Sequence, residues 1–260
     1  MPVLFVGHGS PMNAIEDNVF TQNMRSVGES LPRPTAIVCV SAHWETMGTQ
    51  VTAMQDPKTI HDFSGFPREL YKVEYPAAGD PALAIETKKM LKSTPLDLDY
   101  SWGLDHGTWS VLVHLFPKAD IPVIQLSLDR RRSFRAHYEL AQELKYLRDK
   151  GVLIIGSGNM VHNLRMVAWN KLDVPGFGFD WALEADTTMK ALILAGEHER
   201  LIDLPTQGRA FQLAIPTPEH YLPLLYAIAL QEKGDQVSFF NEQAVGGSLT
   251  MTSVKISSTV

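Results

Sequence analysis

The sequence predicts an α/β domain: a central, mostly parallel sheet, mixed at its edges, flanked by helices. Two patterns predict it. Short Val/Ile-rich runs alternate with longer helical stretches along the 260 residues. The runs are also apolar without interruption, which marks strands covered on both faces rather than strands with one wet side. A chain of this length buries roughly 73% of its open-chain surface on folding, enough for one core, so residues 1–260 read as one domain.

In chain order, Val3–Val6, Ala36–Ser41, Ile121–Leu128 and Val152–Ile155 are the uninterrupted apolar runs, and hence the inner strands. Asp80–Leu91 and Ser133–Leu147 have helical periodicity between them. In the second, Phe134, Tyr138, Ala141, Leu144 and Leu147 share a face, with Ser133 as N-cap and Gly151 just past the end. Trp181–Leu194 and Leu222–Glu232 make two more helices. Gln236–Phe240 and Ser248–Ile256 read as late strands around Gly246-Gly247. Residues 165–215 carry no other pattern, and Pro175-Gly176-Phe177-Gly178 reads as a lid or a loop.

Composition removes several function classes. With 23 basic residues against 29 acidic and a net charge of −6, nothing favours nucleic acid as a partner. No apolar stretch approaches the roughly 20 residues of a membrane span, and Met1–Val6 has no basic leader region, so a cytoplasmic protein is expected. The single cysteine, Cys39, excludes an internal disulfide and a Cys-rich metal site, and its apolar strand context points to burial.

In sheets of this type ligands bind beyond the carboxyl ends of the strands. There Gly7-His8-Gly9-Ser10-Pro11 follows the first run, Ala42-His43-Trp44-Glu45 the second, and Gly156–His162 the fourth. His106 and His220 stand in further loop-like contexts. One histidine at a strand end is usually a capping residue. Several on one rim suggest a metal site, because neutral imidazole is the commonest side-chain ligand and also moves protons near neutrality. Ligands as far apart as positions 8, 43, 162 and 220 suit a site assembled by the fold, not a finger-like module. Other chemistries fail on their motifs. Val161 stands where a dinucleotide fingerprint needs its third glycine, Ile202 stands where His198-Glu199 needs a second histidine, and there is no nucleophile elbow and no Walker lysine.

Six ordered motifs sharpen this reading: Gly7-His8-Gly9-Ser10-Pro11, Ser41-Ala42-His43-Trp44, Asp62–Pro67, Leu104–Trp109, Gly156–Leu164 and Pro218–Pro223. Together they resemble class III extradiol ring-cleavage dioxygenases, in particular the 4,5-DOPA branch. The resemblance implies a mononuclear non-haem Fe(II) site and dioxygen-dependent cleavage of a 4-substituted catechol such as L-DOPA beside its hydroxyls, giving a muconate semialdehyde. By motif, His8, His43 and His220 match the metal ligands. The third ligand stays open between His220 and its neighbour Glu219, and an all-histidine set also suits Zn(II) in a purified sample. His162 matches the acid–base histidine or a fourth ligand, and His106 a histidine lining the substrate pocket. Asp105 is read as either an orienting partner of His106 or a cap. Phe63, Phe66, Trp44 and Tyr221 are pocket candidates, with packing as their plainer reading, while His61, His114, His137 and His198 are left to structure or surface. Two rival readings use the same residues: a zinc hydrolase, and a non-enzymatic binding protein of the Memo type. The oligomeric state is not legible.

Overall fold

The computed structural model describes residues 1–258. Among the described residues ten strands form in chain order: β1 (Val3–Gly7), β2 (Ala36–Thr46), β3 (Thr49–Thr52), β4 (Leu96–Asp99), β5 (Val123–Asp129), β6 (Val152–Gly158), β7 (Gln236–Phe240), β8 (Ala244–Val245), β9 (Leu249–Thr250) and β10 (Ser253–Ser257). Eight of them make one sheet in the order β4-β3-β5-β2-β6-β1-β10-β7, and β8 and β9 make a small hairpin. The four inner strands β5, β2, β6 and β1 are parallel, while β10 and β7 close one edge antiparallel. At the other edge β3 runs antiparallel to β5 and parallel to β4. This is the mixed, mostly parallel sheet that the apolar runs predict.

The period-two alternation of the inner strands divides the core into two layers. Val3, Phe5, Val38, Val40, Ile124, Leu126 and Ile154 face one way, onto helices that include Phe134–Gln142, Asp180–Ala195 and Leu222–Ile228. Leu4, Val6, Ile37, Cys39, Val123, Leu153 and Ile155 face the other, onto Val19–Ser30 and His106–Leu115. Every residue of β1, β5 and β6 is therefore buried. At about 1.5–3 kcal/mol for each large apolar side chain, this double burial is what holds the central strands together. Among the described residues no helix is long and apolar enough to cross a membrane.

Some element boundaries differ from the sequence expectation, each for a local reason. Asp80 does cap its helix, accepting from Leu83 N at 2.8 Å ahead of Pro81. The Ser133–Leu147 stretch breaks after Gln142 into Phe134–Gln142 and Tyr146–Asp149. Short i→i+3 bonds tighten the chain there, and the Glu143 carboxylate turns away to accept from Lys92 N and Ser93 N. The expected Leu222–Glu232 helix ends at Ile228; Arg148 takes the Leu230 carbonyl just beyond it. Ser248–Ile256 splits into β9 and β10. Strands β2 and β6 outlast their apolar runs, so Ala42–Glu45 and Gly156–Gly158 are strand rather than loop. The β2 register against β5 slips between Val40 and Glu45, a bulge that apolar patterning does not signal. The edge strands β3 and β4 and the helices Val19–Ser30 and His106–Leu115 also go unannounced. Residues 165–215 hold the 3-10 turns Leu164–Met166, Trp169–Lys171 and Leu204–Thr206 and the helices Asp180–Ala195, His198–Asp203 and Arg209–Ala214.

Candidate metal centre

At the carboxyl ends of β1, β2 and β6 three imidazoles meet. His8 follows β1 directly, and its backbone N–H continues the ladder to the Gly158 carbonyl at 3.0 Å. His43 stands at the bulge of β2. His220 comes from the loop ahead of the Leu222–Ile228 helix, pressed onto β6 by two glycines. A Cβ at Gly158 would lie 2.1 Å from the His220 carbonyl oxygen, and one at Gly156 would lie 2.2 Å from that of Pro223. Only glycine lets this loop reach the sheet.

The three rings form a near-equilateral triangle, with centroids 5.0, 5.1 and 5.2 Å apart, and one ligand nitrogen from each lies within 4.8 Å of the others. Hydrogen bonding decides one tautomer. The Ser157 hydroxyl donates to the Gly107 carbonyl at 2.5 Å, so it can only accept from His8 Nδ1–H at 2.9 Å. His8 Nε2 therefore carries a lone pair, and it stands 3.1 Å from His43 Nε2. Ion–nitrogen bonds of about 2.0–2.1 Å place neighbouring ligand nitrogens at roughly that separation. His220 Nδ1 is buried with no hydrogen-bond partner. An orphaned imidazole nitrogen beside two converging ones fits a bound cation.

Electrostatics keeps these rings neutral. Burial first, then the neighbouring histidines, holds His8 and His220 well below the ordinary imidazole value. Burial and then His106 bring His43 down to about 3, against a smaller upward pull from Asp62. Burial brings His162 down to about 4. Neutral imidazoles are the form that ligates metal.

The remaining expected residues divide into two groups. His162 stacks on His220, with centroids 3.4 Å apart and 13° between planes. Ring lone pairs lie in the ring plane, so nearly parallel stacked rings do not aim at one point between them. Glu219 lies with His162 and His220 in a neighbouring group of candidate ligands, and its carboxylate accepts from the Thr217 hydroxyl. His106 sits 3.8 Å from His43, centroid to centroid, at the start of its helix. Phe63 meets His106 edge-on at 5.5 Å and Phe66 at 5.2 Å, so Phe63 borders the histidines and Phe66 backs it. Trp44 is buried and stacks on Trp102, 5.8 Å away with 6° between planes. Tyr221 is buried in the core, its hydroxyl donating to the Leu201 carbonyl at 2.8 Å. Both take the packing role.

Asp105 does not hold the His106 ring. It caps the His106–Leu115 helix, accepting from Thr108 N, and also accepts from Ser41 Oγ at 2.7 Å and Gln125 Nε2 at 2.7 Å. Burial raises this carboxyl and the Asp62 charge adds to the rise, while bonds from Gln125 and Ser41 oppose it. The partner of His106 is Asp62, which accepts its backbone N–H at 2.9 Å and its ring Nδ1–H at 2.9 Å. Burial pushes Asp62 up, but the ring and backbone hydrogen bonds from His106 oppose it and leave the carboxyl below the usual range. The pairing spans 44 residues, and only the position of Asp62 in a motif segment could have drawn notice to it.

The profile of the catalytic LigB subunit of aromatic ring-opening dioxygenase matches residues 2–250. The chain belongs to this family. A 4,5-DOPA dioxygenase extradiol of Escherichia coli (strain K12) is 46% identical over 98% of this chain and 94% of its own length. One of Beta vulgaris, with the same description, is 35% identical over 98% of this chain and 96% of its own. The crystal structure of an uncharacterized Escherichia coli K12 protein superposes with a TM-score of 0.85 at 41% identity, covering 98% of this chain and 99% of that one. Family membership over nearly the full length makes this an enzyme of the extradiol dioxygenase class, with a small aromatic molecule and dioxygen as its reactants.

Proposed function

We propose that the enzyme cleaves the ring of a 4-substituted catechol such as L-DOPA with dioxygen, giving a muconate semialdehyde, and that His8, His43 and His220 hold an Fe(II) ion for it. The observation that carries this reading is the triangle of neutral imidazoles, with one nitrogen orphaned and two others 3.1 Å apart. Relatives described as 4,5-DOPA dioxygenases support the substrate class. Three neutral nitrogen donors suit Zn(II) as well, and zinc is then an inactive occupant because it has no redox chemistry. Glu219 is left outside the ligand set.

Bound iron would supply the place where a catechol and dioxygen meet and exchange electrons. The protein's own groups handle the protons. Catechol gives up hydroxyl protons as it chelates, and neutral His162 takes one on a ring nitrogen and later returns it as the ring opens. His106, with Nδ1–H on Asp62, presents Nε2 as an acceptor for a second proton. Phe63 forms an aromatic wall beside His106.

An oxygen electrode tests the reading. Protein loaded with Fe(II) should consume dioxygen when L-DOPA is added and form a yellow product, and zinc-loaded protein should do neither. Absence of oxygen uptake with a panel of 4-substituted catechols overturns it. Catechol-independent hydrolysis by the zinc form would count against it too.

A further inference from the structure

We infer that Asp62 is a positioning residue that serves two histidines at once: it fixes the tautomer and direction of the His106 ring and backs the ring of His43. Its importance for turnover rests on the catechol reading above; its effect on the rings does not. The Asp62 carboxylate is acceptor-only when ionised, and its two oxygens are used separately. Oδ1 takes the His106 backbone N–H and Oδ2 the ring Nδ1–H, each at 2.9 Å. A ring held through its own backbone and its own nitrogen by one carboxylate has little freedom to flip, and its Nε2 is left as an acceptor.

The same Oδ2 lies 4.0 Å from His43 Nδ1. When His43 gives Nε2 to an ion, Nδ1 carries the hydrogen, and Asp62 is the carboxylate facing it. At 4.0 Å this is a charge–dipole contact rather than a hydrogen bond, so the carboxylate favours Nδ1–H on His43 by its charge and steadies that ring through His106. The His106 and His43 rings touch, with centroids 3.8 Å apart, so one anchor sets both. His43, Asp62 and His106 accordingly cluster within 4.8 Å by their ligand atoms. Asp62 reaches them from the segment that also carries Phe63, so the aromatic wall and the two imidazoles are tied together.

The experiment compares Asp62→Asn with Asp62→Glu. Asn matches Asp in shape but places an amide where two acceptor oxygens stood. Glu keeps the acceptors on a longer stem. If Asp62 only fills space, Asn is harmless and Glu is the damaging change; the inference expects the reverse order. D62N should lower turnover by about 10–100-fold and weaken zinc binding by about 10-fold, with D62E recovering part of both. Far-UV circular dichroism and a melting curve check that each variant folds. Ring-nitrogen NMR of the zinc-loaded protein gives the readout independent of activity, with a His106→Gln variant assigning the signals. Wild type and D62E should show Nδ1 protonated and Nε2 bare in His106, and D62N should show the opposite tautomer or a mixture. A bare Nδ1 in wild type, or an unchanged tautomer in a folded D62N, overturns the inference. If wild type consumes no oxygen with any catechol, the catechol reading fails, and the NMR comparison still decides the role of Asp62.

Discussion

Two sets of buried or half-buried histidines in this protein differ in what their nitrogens do. His137 has both satisfied: Nε2–H donates to the Asp129 carbonyl at 3.2 Å, so Nδ1 accepts from the Tyr226 hydroxyl at 2.9 Å. His114 spans the Asn13 carbonyl at 2.7 Å and the Arg25 guanidinium at 3.2 Å, and His198 spans Tyr138 and Gln231, each at 2.8 Å. At the sheet's rim, by contrast, His8 Nδ1 is tied to Ser157 while its Nε2 meets only His43 Nε2 at 3.1 Å, His220 Nδ1 has no partner, and one nitrogen from each of His8, His43 and His220 lies within 4.8 Å of the others. The two sets overlap in burial, with one half-buried ring in each, and the residue type is the same. What separates structural rings from candidate ligand rings is the lone pair left over after the protein's own hydrogen bonds are counted.

That contrast can be broken most directly at the rim. His43→Ala and His220→Ala should each abolish retention of metal while the fold persists, a loss beyond the roughly 100-fold that a supporting residue costs. Metal analysis after gel filtration reads it, and full occupancy in either variant removes that residue from the ligand set. The next effect concerns His162, which stacks on His220 without sharing its focus. His162→Ala should keep its metal and lose about 10²–10⁴-fold in turnover, the range for a missing acid–base group. Undiminished oxygen uptake would refute proton transfer at His162.

On the structural side the readout becomes stability. His137→Gln should leave metal content unchanged and destabilise by about 1–3 kcal/mol, because the Tyr226 hydroxyl and the Asp129 carbonyl lose a well-placed partner. The pH dependence sharpens the point. Burial brings His137 down to about 4, whereas an unfolded histidine titrates near 6.5. Below pH 6.5 the unfolded chain takes up the proton first, so this group's contribution falls as pH drops from about 6.5 to about 4, by about 3 kcal/mol at most. Urea titrations of the metal-free protein at pH 7, 6 and 5 should show a shallower slope for H137Q, by up to about 1.4 kcal/mol per pH unit. Equal slopes would show that His137 does not titrate differently on unfolding. The smallest effect belongs to half-buried His198, where Gln substitution should change stability by less than about 1 kcal/mol and alter neither metal nor turnover.

Much of the fold was legible because its strands carry their burial in the sequence. A run such as Val152–Ile155, apolar at every position, has few homes other than an inner strand between two layers. The outer strands β3 and β4, with β4 at the edge, were not legible: four residues of mixed polarity each, they are strands because β5 and one another offer hydrogen bonds. The same limit applies at the site. His8, His43, His162 and His220 could be named from strand ends and motifs, whereas adjacency to His43 and His220 left Trp44 and Tyr221 open between pocket and packing, and both are buried in the structure. The β2 bulge and the tight turn entering the Leu222–Ile228 helix send those two neighbours into packing.

From its sequence alone this chain settled its alternation of strand and helix, the double burial of its central strands, and the set of histidines at their ends. These depend on local periodicity, which residues carry wherever they are placed. Tertiary structure decided which imidazole nitrogens stay unpaired, and that Asp62 rather than Asp105 holds His106. Hydrogen-bond partners such as Ser157 and His8 stand 149 positions apart in the chain, and which donor finds which acceptor at that range is set only when the layers close.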